Sequence, residues 1–137
     1  KMMGTWSHES FGNDTANDWA YELEDATDFS VIEAALQVAL DEGDEYLDAD
    51  LAMEAIAAVE VIAKRLGKGT QSDVYTEKVD KWLETISEQP SDDLLSLAKR
   101  VLERIVADDS ELKELWLESD EYELWLGNIQ QLKDALN

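Results

Sequence analysis

The chain contains no cysteine, one proline and one histidine in 137 residues. The absence of cysteine excludes disulfides and thiolate metal sites. With His8 as the only imidazole, His-rich zinc sites are excluded as well. No apolar run approaches the roughly 20 residues that a membrane-spanning helix requires. Lys1, Met2 and Met3 lead into Gly4 and polar sequence rather than an apolar signal core, so no secretory signal is expected. A reducing, cytoplasmic setting is the simplest reading. Phosphate-cradling loops are missing too: "GKGT" at 67–70 lacks both the preceding strand and the spacing of a P-loop.

Positive charge is the scarcest commodity. Eleven Lys and Arg face 33 Asp and Glu, for a formal net charge of -22. Residues 2–63 hold no Lys or Arg at all, while residues 9–60 carry 16 carboxylates. Such a surface repels nucleic acid and anionic membranes, since both are bound through Lys and Arg. A basic protein is the partner it would attract and steer. Solubility, or adaptation to high salt, accounts for the same charge without any partner.

What remains is a length suited to one domain, 1–137, with 45% hydrophobic residues to build a core. The patterning is helical nearly throughout. Asn13 is placed to cap a helix reaching Glu24, with Ala16, Trp19, Ala20 and Leu23 on one face. Ser30 and Glu33 have capping-box spacing, with Phe29 as a hydrophobic staple and Gly43 as a left-handed stop. Asp48 or Asp50 starts the longest apolar helix, "LAMEAIAAVEVIAKRL", closed by Gly67. Its apolar arc exceeds half the circumference, which predicts a central helix; Asp50, Glu54, Glu60, Lys64 and Arg65 share the polar remainder. Ser72 is expected to cap a helix with Tyr75, Val79, Trp82, Leu83 and Ile86 inward, although "SDVYTEKV" is rich in β-prone residues. Pro90 breaks the chain before a helix capped by Ser91. Ser110 starts a short helix, and Ser119 or Asp120 starts the last. These features predict an all-α array of six to seven amphipathic, mostly antiparallel helices. Residues 1–12 form an aromatic arm, with Trp6 and Phe11 folded back and His8 and Glu9 on an exposed tip.

Few residues suggest chemistry. Asp14 and Asp18, four apart, share a helix face that Glu22 extends. A divalent cation could use such carboxylates, but dipole complementarity at the helix start explains Asp14 equally. "DEGDEYLDAD" fails the register of a calcium loop. Ser7 and Ser10 lie near His8, without any motif that would organise a triad. Glu60 sits at the edge of the central helix's polar arc, where a salt bridge to Lys64 is expected to satisfy it. Four of the five tryptophans (Trp19, Trp82, Trp116 and Trp125) fall on inward faces; Trp6 precedes any helix.

"MGTW", the Phe11 position, "NDTANDWAYEL", "EAIAAVEVIAKRLG" and "VLERIVADDSELKELWLES" with "WLGNIQQLKDAL" together resemble the bacterial proteins grouped as DUF4259, a domain family of unknown function. The resemblance spans the whole chain. Matching positions are Gly4, Trp6, Phe11, Asn13, Asp14, Asp18, Glu60, Ser110, Glu111, Leu115 and Trp116. The chain departs at "SHESFG", where the family is more glycine-rich and often has Asp in place of Gly12. The resemblance implies a small α-helical domain and carries no activity with it.

No catalytic residue, cofactor or metal is assigned. The candidate functional surface comprises Trp6, His8, Phe11, Asn13, Asp14, Asp18, Glu60, Glu111 and Trp116. The expected function is a non-enzymatic acidic interaction domain, in concrete form an immunity or neutralising protein for a basic partner. The alternatives are a small metal-dependent or acid/base hydrolase on Asp14, Asp18 and Glu60, and a salt-adapted structural protein.

Overall fold

Asn13 opens the first helix, its Oδ1 accepting the Ala16 N–H at 2.7 Å. In the computed structural model, which describes residues 4–42 and 45–137, helix α1 runs Asp14–Trp19 and tightens into a 3-10 turn, Ala20–Leu23. Next come α2 (Ser30–Glu42), α3 (Ala49–Arg65), a 3-10 turn (Val74–Thr76), α4 (Glu77–Glu84), α5 (Asp92–Ile105), α6 (Glu111–Leu117) and α7 (Tyr122–Ala135). Among the described residues there is no strand, only two isolated bridges, Thr5 with Asn13 and Leu47 with Ser110. The fold is all-α. Gly43 lies outside the described residues.

Side-chain caps set most of the helix starts. Asp48 accepts from Asp50 N and Leu51 N, Ser91 from Leu94 N and Ser110 from Lys113 N, each meeting an amide that the first turn leaves unbonded. Three expected starts are corrected. Ser30 is the first residue of α2 rather than its cap, and its N–H is taken by the Asp28 carboxylate at 2.9 Å. Asp73, not Ser72, caps the turn before α4, in a capping box with Thr76. The cap position of the last helix is Glu121, one residue beyond the expected Asp120, and it makes no side-chain cap bond. The β-prone "SDVYTEKV" stretch supplies the 3-10 turn that precedes α4.

α3 is central, as its wide apolar arc predicts. It packs against every other helix, and every residue of 55–63 is buried. Alanines at 55, 57, 58 and 63 let the neighbours approach closely. The apolar cluster is continuous from Phe11 to Leu136 and takes in Trp19, Trp82, Trp116 and Trp125. Tyr75, expected inward, is instead exposed. Arg65, at the end of α3, closes the far end of α4 by donating to the carbonyls of Leu83 (2.6 Å) and Ile86.

Candidate functional site

Residues 4–13 form a tight returning loop. Trp6 N and Ser7 N both donate to Gly12 O, at 2.9 and 3.2 Å, and Asp14 N donates to Gly4 O at 2.8 Å. Two glycines make this possible. Gly4 has φ +75°, and a Cβ there would stand 3.0 Å from Asp14 Oδ2. A Cβ at Gly12 would collide with Ser7 Oγ and stand 2.8 Å from Ser7 O, so backbone would have to move. Asn17 Nδ2 ties the return to α1, donating to the carbonyls of Phe11 (3.0 Å) and Asn13 (2.8 Å).

Beneath the loop lies the largest correction to the sequence reading. Glu60 is not at a polar edge; it is fully buried. Lys64 does not pair with it and instead bridges to Asp80 at 3.0 Å. Glu60 accepts from Ser10 Oγ (2.8 Å), Thr70 N (2.6 Å), Gln71 N (3.2 Å) and Thr70 Oγ1. Every partner donates, which suits a carboxylate, an acceptor-only group. The network continues outward. Asn128 Nδ2 on α7 donates to Ser10 Oγ at 3.1 Å, and Gln71 Oε1 accepts from Phe11 N at 2.8 Å. Ser10, Gln71 and Asn128 are buried polar residues that sequence periodicity passes over, because they meet only through tertiary contact. The Glu60 node joins the N-terminal loop, α3, the segment after it, and α7.

The predicted residues therefore separate. Phe11 and Asn13 are buried anchors. Asp14 and Asp18 are exposed on α1, while Glu60 is sealed in the node. Among the described residues no group of three Asp, Glu or His side chains is arranged to hold a metal ion. Glu111 is structural: its Oε1 accepts Ala49 N at 2.8 Å, so one helix caps the start of another. His8 and Glu9 are half-buried rather than at an exposed tip. His8 lines a cleft with Met53, Trp116 and Trp125 whose volume of about 10 Å³ holds little more than one water.

Trp6 and Trp116 do come together. With Thr5, Ser7, Leu115 and the α6–α7 connection they line an open groove of about 490 Å³. Trp6 folds back onto the surface rather than into the core: it stays 43% exposed and leans on Tyr75, ring centroids 5.0 Å apart. Trp116 stacks on Trp125 at 6.4 Å.

A second surface lies on the cation-free half. The 3-10 turn after α1, α2 and α3 flank a shallow groove with Val31, Ala35 and Val38 in its lining and Glu22 and Glu54 among them. Burial, together with the neighbouring carboxylates of Glu22, Asp50 and Asp48, pushes the Glu54 carboxyl above its ordinary range. None of the residues lining this groove is a cation.

No curated protein and no solved structure matches the chain. A family described as a domain of unknown function (DUF4259) matches residues 4–128, which include the N-terminal loop, the Glu60 node and the whole of α1–α6, and the chain belongs to that family.

Proposed function

We propose that the protein is a non-enzymatic interaction domain whose acidic surface binds a basic protein, as an immunity or neutralising protein binds a basic toxin. The observation that carries this reading is the crowding around Glu54. Burial first, and then Glu22, Asp50 and Asp48, raise its pKa, so the folded chain holds like charges together beside an apolar floor whose lining includes no cation. Lys or Arg from a partner would relieve that repulsion and bury the floor. The hydrolase alternative has no comparable support, since Glu60 is sealed by its hydrogen bonds and Asp14 and Asp18 face outward.

Affinity capture from the native host, at low and high salt, tests the reading. The expected result is a basic protein retained at low salt, released by salt, and lost from a Glu22→Gln/Asp50→Asn/Glu54→Gln variant of unchanged fold. Capture of no basic protein, or retention indifferent to both salt and these substitutions, overturns it and leaves salt adaptation as the account of the charge.

A further inference from the structure

We propose that the groove between the N-terminal loop and the α6–α7 connection is an arginine-binding site, the anchor point for an arginine side chain of the basic partner. This rests on the reading that the partner is basic and adds where and how one of its residues is held.

Two indoles meet three carboxylates there. Trp6 and Trp116 line the groove together with Glu118, Asp120 and Glu121, and no Lys, Arg or His lines it. Its volume of about 490 Å³ lies in the range of clefts that accept a small ligand or a side chain. A tryptophan 43% exposed is uncommon on a settled surface, and this one is held in place. Its backbone N–H is bonded to Gly12 O at 2.9 Å, and its ring rests on Tyr75. The opposite wall is fixed as well. Ser119 Oγ donates to Trp116 O at 2.8 Å and accepts Glu121 N at 3.1 Å. A preorganised indole face beside carboxylates suits a guanidinium, which stacks as a plane and forks to a carboxylate. A lysine ammonium could use the charge but not the stacking geometry. A second copy of the chain is a poor occupant, because two molecules of net charge -22 repel.

The test follows the indole N–H signals of the ¹⁵N-labelled protein during titration with tetra-arginine amide, tetra-lysine amide and the uncharged tetra-citrulline amide. Saturable movement of the Trp6 and Trp116 signals is expected with arginine, weaker movement with lysine and none with citrulline. Trp6→Ala should weaken arginine binding about tenfold. Glu118→Gln with Glu121→Gln, both exposed and so neutral to folding, should weaken it about two- to fivefold. Glu22→Gln/Glu54→Gln should leave binding at the groove unchanged. Arginine shifts confined to the Glu22 and Glu54 face, equal shifts with citrulline, binding unaffected by both groove variants, or a Trp6-dependent dimer in sedimentation each overturn the proposal. Groove binding intact with no basic partner captured from the host supports the arginine site while defeating the wider reading. Capture that depends on Glu54 but not on Trp6 does the reverse.

Discussion

At the scale of single residues, Glu60 and Glu54 show how differently two carboxylates six positions apart can behave on one helix. Glu60 satisfies two backbone amides, Thr70 N and Gln71 N, and two hydroxyls. Glu60→Ala leaves buried donors unmet and should cost at least about 3 kcal/mol in urea unfolding. Glu60→Gln should cost much less: its amide oxygen can still take both backbone amides, and the hydroxyls of Ser10 and Thr70 can turn to accept from its NH₂. Equal losses for the two variants would show that the node is not what the carboxylate serves. Glu54 acts the other way. Its ordinary value is 4.5, and burial with nearby like charges raises it. The folded chain then binds a proton that the unfolded chain has already released, so stability falls as pH rises from about 4.5 through the raised value. Glu54→Gln should stabilise the protein at pH 7 by about 0.2–0.5 kcal/mol, the scale of an i,i+4 like-charge pair such as Asp50 with Glu54. The gain should vanish below pH 4.5 in thermal melts, and a gain that persists there would rule out the charge explanation. A helical wheel cannot separate these two residues, because both sit near the polar arc. What distinguishes them is that Ser10, Thr70 and Gln71 close over Glu60, whereas Glu54 lines an open groove beside α2.

At the scale of elements, the N-terminal loop is a structural member. Deleting residues 1–10 removes Ser10 from the Glu60 node and uncovers Phe11. The deletion should lower stability by about 3 kcal/mol, with a clear fall in melting temperature. An unchanged melt would mean that the segment is dispensable to the fold. Helix existence and facing are well written in the chain: the 3.6-residue period places α3 at the centre and turns Trp19, Trp82, Trp116 and Trp125 inward. The starts at Asn13, Ser91 and Ser110 are read correctly, and Asp48 is one of the two residues expected to start α3. Ser30 and Ser72 are misread because the carboxylates of Asp28 and Asp73 take the first amides instead, and the path of the incoming chain, which neighbouring residue types do not reveal, decides which side chain caps. Glu111 illustrates a further limit. Its place in the first turn of α6 suggests dipole complementarity, yet its carboxylate caps α3, 62 positions away.

At the scale of the whole molecule, a net charge of -22 opposes compaction. Three ion pairs are present among the described residues, one of them as long as 3.9 Å, so few of the carboxylates are locally neutralised. Raising sodium chloride toward 1 M shortens the screening length from about 10 Å to about 3 Å. The melting temperature should rise by about 3–5 °C for each kcal/mol of repulsion screened. Sucrose, which strengthens burial without screening charge, should not reproduce the part of the rise that Glu→Gln substitution removes. A melt insensitive to salt would show that the carboxylates are compensated by some other means. Composition makes the charge itself legible. Its arrangement into an apolar-floored acidic groove and a separate aromatic groove is not, since residues 5–7 and 115–121 become neighbours only after the helices have packed.

The bond from Asn128 to Ser10 spans 118 positions of chain. During synthesis Ser10 leaves the ribosome well before Asn128, its partner on α7. Until α7 emerges, Ser10 lacks Asn128, and the flank of α3 that α7 covers stays open to water. Nascent chains and products ending before residue 128 therefore carry an exposed apolar flank that chaperones and proteases can read. The docking of α7 is therefore the event that completes the Glu60 node and closes this flank of the core.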